Sequence, residues 1–486
     1  MEILRLGGGQ SGLIRCGAYI NGEEVMTDKV YALTHKFSGA VLAEVTESSD
    51  ACLEQAVVGA AEAFRHPLSV HERGKILERA AEILERDHET MARLITREAG
   101  KPIRDSRAEV ARGAQTLRYS PVAARTLGGK EVPVRGNPGS ESRLAFTVRK
   151  PYGIVLAITP FNFPLNLAIH KVGPALAAGN AVVLKPAPAT PLTALRLATL
   201  LTEAGLPPGY LQVVTGSGAE VGAKLVADPR VGVITFTGSA SVGKAIRAHA
   251  GLRPMILELG NNSANIVHDD ADLDLAAKTL ALRAYGFAGQ VCIAVQRIYV
   301  HRRVYSDLLA RLVDVMGTLV TGDPEDERTD VGPMISEAAA ERALGWYEES
   351  LRQGARAAVP SIRDGSMVRP GLLLDVAPSM RVMAEEVFAP IAGLVPYDTF
   401  EQALAWANDS RYGLQAGVFT QRIDLAWQAV ETLKVGGVIV NDSSSYRADN
   451  MPYGGVKDPG LGREGPEYAV EELTYPTVAV FNLPPR

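Results

Sequence analysis

The sequence predicts an α/β fold, a doubly wound parallel sheet followed by a second α/β unit, and three observations carry that prediction. Between Tyr152 and Glu258, short apolar runs alternate with segments long enough to form helices, the trace that parallel strands and their crossover helices leave in a sequence. The same alternation returns over residues 265–440. The length, 486 residues, gives room for about three domains of ordinary size and a large core.

The N-terminal third reads as helical. Ser69-Val-His-Glu72 has the form of a capping box, and Ile76, Leu77, Ala80, Ile83 and Leu84 recur at helical period until Gly100-Lys-Pro102 stops the pattern. From about Leu127 to Arg149 the chain is polar and glycine-rich, with Gly136-Asn-Pro-Gly139 inside it, so it reads as a linker or a projecting β-ribbon. Residues 153–158, 181–184, 211–214, 231–236 and 255–257 then read as strands of the first sheet. Residues 296–300 and 436–441 read as strands of the second unit.

Composition removes several function classes. A net charge of −5 and a pI near 6.0 leave no basic footprint, so nucleic acid is not an expected partner. Three cysteines, Cys16, Cys52 and Cys292, are too few for a disulfide framework and suit a reducing cytoplasm. The start, Met1-Glu-Ile-Leu-Arg-Leu-Gly-Gly-Gly, does not read as a signal peptide. The most apolar region, 152–184, is broken by Pro160, Pro164, His170, Lys171 and Pro174, so it reads as core and not as a membrane span. Eight histidines are scattered without metal-ligand spacing, and no metal is expected.

Chemistry is suggested first by Cys292, in Phe287-Ala-Gly-Gln-Val-Cys-Ile-Ala-Val-Gln-Arg297, and by Glu258, in Leu257-Glu-Leu-Gly260. A thiolate can attack a carbonyl carbon to give a thiohemiacetal, and hydride loss to a nicotinamide leaves a thioester. A carboxylate acting as general base then activates the water that cleaves it. Alone, a cysteine among apolar residues is a small core residue; the surrounding strings change that reading. Asn162, in Thr159-Pro-Phe-Asn-Phe-Pro164, offers an amide donor for the oxyanion formed on attack, although in isolation an Asn-Phe-Pro turn is the better explanation. No Gly-x-Gly-x-x-Gly follows the first strand, but Gly216-Ser-Gly218 and Thr237-Gly-Ser-Ala-Ser-Val-Gly243 place glycines where helix amides meet a pyrophosphate.

Together with Leu184-Lys-Pro186, Phe236-Thr-Gly-Ser239, Glu385-Glu-Val-Phe388 and Pro452-Tyr-Gly-Gly-Val-Lys457, these strings resemble the aldehyde dehydrogenase superfamily in order and spacing, over roughly residues 15–480. The resemblance implies a dinucleotide-binding domain from 1–123 and 151–258 and a catalytic domain over 259–470. It also implies an oligomerisation arm from 124–150 and 471–486 that joins a neighbouring subunit, in a homodimer or homotetramer. NAD or NADP is the implied cofactor. Ser239, with Gly218, Gly238 and Val242, would meet the pyrophosphate, and Lys185 the adenosine ribose. Thr159, Pro160, Phe161, Leu259, Gly260, Glu386 and Phe388 would line the nicotinamide end. Asn162 and the backbone N–H of Cys292 would form the oxyanion hole, and Lys171 and Glu464 would pass protons toward Glu258.

The substrate tunnel implied by the resemblance is walled by Arg112, Phe163, Asn166, Val291, Ile293, Tyr446, Arg447 and Tyr453. Arg112 or Arg447 would receive an anionic tail, and the string from Arg447 to Asp458 resembles the branch acting on lactaldehyde, phosphonoacetaldehyde and similar small aldehydes. Three positions depart from the family pattern: Pro188 where NAD-preferring members carry Glu, Pro459 where Ser is common, and Ala389 where Gly is usual. Loss of a carboxylate at 188 removes discrimination against a 2′-phosphate without creating a site for one. Two other readings stand beside hydrolytic aldehyde oxidation: a CoA-acylating semialdehyde dehydrogenase, which Glu258 argues against, and a non-catalytic binding or structural protein on the same fold.

Overall fold

Runs of valine, leucine, isoleucine and alanine buried on both faces form the centre of the first sheet in the computed structural model, which describes residues 14–484. The segment 1–13, where the absence of a leader was read, lies outside the described residues. The strand order is Gly460–Leu461, Met255–Leu259, Val231–Gly238, Ile154–Ile158, Ala181–Lys185, Leu211–Val213, Ala18–Ile20 and Glu23–Val25. The five central strands run parallel, and antiparallel pairs close both edges. Every strand expected between 153 and 257 is present. Their carboxyl ends deliver Thr159, Lys185, Gly238 and Leu259 to one rim, where open α/β sheets bind ligands.

The second sheet runs Arg356–Val359, Gly371–Leu374, Ile391–Tyr397, Val295–His301, Ser263–Val267, Gln415–Phe419 and Gly437–Val440. All pairs but the first are parallel. The polar stretch after Leu127 forms a ribbon: Arg143–Pro151 pairs antiparallel with Thr474–Asn482, with Glu131–Val132 on its other side.

Three features differ from the sequence expectation. The helical pattern from Ser69 to Gly100 is two helices, Val70–Arg86 and His88–Ala99, because Asp87 leaves helical geometry and its carboxylate is taken by Arg86 and Arg196. The capping box at Ser69 and Glu72 is present. Residues 14–46 carry five short strands, three of which make a separate small sheet. The chain also returns to the first unit before residue 470: Gly460–Leu461 pairs with Leu257 and Glu258, and the helix Pro466–Glu472 packs on Asn166–Ala178 and Ile103–Thr126.

One buried ion pair ties the helical layer to the loop that carries Asn162. Glu109, on the helix Ile103–Thr126, accepts the backbone N–H groups of Leu165 and Asn166 at 2.9 and 3.0 Å and pairs with Lys101. Both side chains are buried, and the Lys101 ammonium lies 3.6 Å from the Phe163 ring centroid. Glu109→Gln leaves that ammonium uncompensated, and we expect a loss of about 3 kcal/mol in urea unfolding. The double variant Lys101→Met with Glu109→Gln should regain part of it, since the two sites are directly coupled.

Candidate active site

Cys292 lies between the helix Leu273–Tyr285 and the strand Val295–His301, after a backbone turn in which Phe287, Ala288 and Gly289 all have positive φ (49°, 52° and 67°). Non-glycine residues held there are strained, and such strain clusters at functional sites. Gly289 is required by contact as well: a Cβ would stand 2.3 Å from the Ala389 carbonyl oxygen. The Cys292 sulfur is 2.8 Å from the Tyr453 hydroxyl. Burial pushes the thiol up to about 12, while the Tyr453 hydrogen bond and the Arg447 charge pull it back.

Glu258 projects from the strand Met255–Leu259, and both its carboxylate oxygens are buried without a hydrogen-bond partner. Burial and the neighbouring charge of Glu464 push its carboxyl well above the usual range, against the pull of Arg447, Lys171 and Arg463. Glu464 has the opposite fate. Burial works against its ionisation, but Lys171 at 2.7 Å and Arg447 at 3.0 Å hold it well below the ordinary carboxylate range. One buried carboxyl is thus kept ionised by two cations and its neighbour is kept basic, the separation that assigns acid–base work.

Asn162 follows the strand Ile154–Ile158 and donates from Nδ2 to the Gln290 carbonyl at 2.9 Å, which fixes it beside the Cys292 loop. An amide NH₂ carries two N–H donors, so one remains for another acceptor. Phe161 and Phe388 meet edge to face at 5.9 Å, with Phe388 itself at φ 54°. Glu386 accepts from the Asn261 N–H at 2.9 Å, and burial raises its carboxyl to about 7. Gly260 makes room for it, since a Cβ there would meet Glu386 Oε2 at 2.0 Å.

These residues fit a dinucleotide. Ser239 caps the exposed start of the helix Ala240–His249 by accepting from the Val242 N–H, just after Gly238, and such a helix end attracts a pyrophosphate. Gly218 opens a second short turn capped by Ser217. Lys185 is buried, donates among the described residues only to the Pro186 carbonyl at 3.1 Å, and is pushed down to about 8 by burial. Thr159 Oγ1 is buried without a partner, beside Pro160. Leu259 is buried, and Pro188 stands exposed on the loop beyond Lys185.

A cavity of about 400 Å³ opens onto Cys292, and all eight expected tunnel residues line it: Arg112, Phe163, Asn166, Val291, Ile293, Tyr446, Arg447 and Tyr453. The two arginines are not free, however. Arg112 grips Asp449 through Nε and Nη2 at 3.0 and 2.8 Å, and Asp449 also meets Asn166 Nδ2 and His170 Nε2 at 3.0 Å each. Arg447 pairs with Glu464 through Nη2 at 3.0 Å, while its Nε is buried without a hydrogen-bond partner among the described residues. Sequence reasoning passed over Arg283, which lines the same cavity, is exposed, and has no hydrogen bond or ion pair among the described residues. It also passed over Asp449 and His170, although Asp449 stood inside a quoted string. Elsewhere, His268, Asp269 and Asp270 approach one another, but Arg303 and His301 pair with Asp269, and Thr420 binds Asp270.

Comparison with known proteins agrees with this geometry. Residues 24–478 match the model of the aldehyde dehydrogenase family. A 3-sulfolactaldehyde dehydrogenase of Priestia aryabhattai is 48% identical over 467 residues, 96% of this chain and 98% of that protein. The NADP-dependent glyceraldehyde-3-phosphate dehydrogenase of Bacillus halodurans, solved with NADP, superposes with a TM-score of 0.94 at 36% identity, covering 97% of this chain and 100% of that one. An NAD-dependent aldehyde dehydrogenase of Sinorhizobium meliloti gives 0.93 at 32% identity, covering 99% and 97%. The chain belongs to the aldehyde dehydrogenase family and is an NAD(P)-dependent oxidoreductase that oxidises aldehydes.

Proposed function

We propose that this enzyme oxidises a small aldehyde with an anionic tail and releases the free acid by hydrolysis. The carrying observation is the contrast between Glu258, buried and unpaired, and Glu464, buried and held by Lys171 and Arg447, in one cluster beside Cys292. The Cys292 thiolate forms a C–S bond to the carbonyl carbon, and the charge passes to the carbonyl oxygen. The free N–H of Asn162 and the backbone N–H of Cys292 receive that oxyanion. Bound NAD or NADP supplies the hydride acceptor, held by Lys185, Ser239, Glu386 and the rim around Thr159, Phe161, Gly260 and Phe388. The thioester then remains on Sγ. Glu258 takes a proton from water as its oxygen bonds the acyl carbon, the C–S bond breaks, and the thiolate is restored. Lys171 and Glu464 pass the captured proton onward. An unpaired base already present for water leaves no need for coenzyme A.

The anionic tail is supported by the 48% identical sulfolactaldehyde enzyme and by Arg283. Because Arg112 and Arg447 already serve Asp449 and Glu464, Arg283 replaces them as the receptor of the tail. We also read the ribbon as an oligomerisation arm, in a cytoplasmic dimer or dimer of dimers. Val148, Val478, Val480 and Phe481 are exposed on it, and the open edge strand Gly437–Val440 lies beside a helix exposing Ile423 and Trp427. No described helix is long and apolar enough to cross a membrane.

Four measurements test this reading. A base with a raised carboxyl is lost on the acid side, because protonation removes its lone pair; kcat should therefore fall on acidification well above the ordinary carboxylate range. Glu258→Gln should retain a single burst of reduced cofactor while steady turnover drops at least about a hundredfold. Stopped-flow absorbance separates the two, and an unchanged steady rate would remove Glu258 as the base. On a panel of sulfonated and neutral aldehydes, Arg283→Leu should weaken only the anionic ones, by about 1 kcal/mol or roughly fivefold in kcat/KM for an exposed charge. Arg112→Leu should lower both classes by opening the Asp449 network. Finally, Pro188 holds neither a 2′-hydroxyl nor a 2′-phosphate, so wild-type kcat/KM for NAD and NADP should lie within roughly a hundredfold. Pro188→Glu should move the ratio toward NAD.

A further inference from the structure

Tyr453 touches the nucleophile in a way that neither the resemblance nor the proposed mechanism uses. Its hydroxyl is 2.8 Å from Cys292 Sγ, and it is 2% exposed. The ring packs with Ile293 and Leu414, with Val291 and Cys292 against that cluster. Its other face carries a charge: the Arg447 guanidinium lies 3.7 Å from the ring centroid. Its backbone exchanges hydrogen bonds with Glu464 in both directions, N to O at 3.0 and 2.7 Å. The partner of the sulfur and the ionised carboxylate are therefore fixed by the same bridge.

We infer that Tyr453 is a further catalytic residue, a phenol that donates a hydrogen bond to the Cys292 thiolate and holds the sulfur aimed into the cavity, with Arg447 as the positioning residue behind it. A thiolate only accepts, so the proton between the two atoms must come from the phenol. Burial keeps the Tyr453 hydroxyl protonated well above its ordinary range, which preserves the donor. Arg447 adds positive charge near both atoms, whereas Glu386 and Glu258 oppose thiolate formation. Tyr453 is thus the neutral donor in a pocket whose nearest carboxyls disfavour the reactive form. When sulfur bonds to carbon it becomes a poor acceptor, and the contact weakens. When the thioester breaks, the departing thiolate regains it, so the same donor serves both halves of the reaction.

The gain is limited by a known compensation. Lowering a thiol by one pH unit gives about tenfold more thiolate at neutral pH but costs roughly threefold in intrinsic reactivity, a net gain of about threefold. A phenylalanine would fill the same space without the donor.

This inference rests on the reading of Cys292 as the nucleophile, yet its test reads the thiol itself. Alkylation of Cys292 by iodoacetamide, followed by peptide mass spectrometry from pH 6 to 10, should be about threefold slower across the rising limb in Tyr453→Phe, which moves its profile up by about half a pH unit. Affinity for NAD should be unchanged. Arg447→Lys, which keeps a cation for Glu464 but loses the planar stack, should move the profile the same way by less. A Tyr453→Phe profile that overlays the wild type or moves down overturns the inference. Should that variant lose NAD binding and hence its fold, Arg447→Lys decides alone: an upward shift supports the inference and no shift overturns it. Turnover of Cys292→Ala would challenge the nucleophile reading and leave the thiol's hydrogen bond a separate question.

Discussion

The site depends on a two-residue strand. Gly460 and Leu461 pair with Glu258 and Leu257, and the Leu259 N–H donates to the Pro459 carbonyl. This pairing pulls the chain leaving the second sheet back across the first. Glu258 belongs to the first sheet and Cys292 to a loop feeding the second, so no strand holds them in common. The returning segment does so instead. Its Tyr453–Glu464 bridge sets a phenol on the sulfur and a carboxylate on Lys171 and Arg447.

Electrostatics then divides labour within that clamp. Burial raises a carboxyl, and a nearby cation or a hydrogen-bond donor lowers it again. Glu464 receives both Lys171 and Arg447 at contact, whereas Glu258 has only their more distant fields and that of Arg463. The Lys171 and Arg447 charges are largely consumed by Glu464, so Glu258 stays basic without a bound partner. An unpaired buried carboxyl costs little when it carries a proton and more when ionised, and this is what makes it avid for a proton from water.

Legibility in the sequence followed the physics of each element. The strands between 154 and 259 are buried on both faces, so their apolar runs are continuous and easily seen. The Ser69 capping box is a local device and was equally plain. The strands within 14–46 span at most six residues and have no comparable period, and the break at Asp87 is made by Arg196, over a hundred residues away. The strand at 460–461 is too short to leave a signal at all, which is why the division at 470 misplaced the returning segment. Motifs drew attention to Cys292, Glu258, Asn162 and the residues proposed for the cofactor, but they are silent on who pairs with whom. Arg112 and Asp449 stand 337 residues apart, and nothing in either string announces the bond.

That silence matters for how substrate choice is written into this fold. Arg112 and Arg447 face the cavity, yet each pairs with a buried carboxylate, and removing either would weaken the compensation of that charge. They are constrained by the site's integrity before any substrate arrives. Arg283 carries a lighter obligation, since it sits exposed on the last turn of its helix with no hydrogen bond or ion pair among the described residues and the field of Asp105 acting on it. A change there alters what the cavity mouth attracts while leaving the clamp around Cys292 and Glu258 intact. On the proposed reading, the nucleophile and base are thus insulated from the position at which a change of tail preference would act.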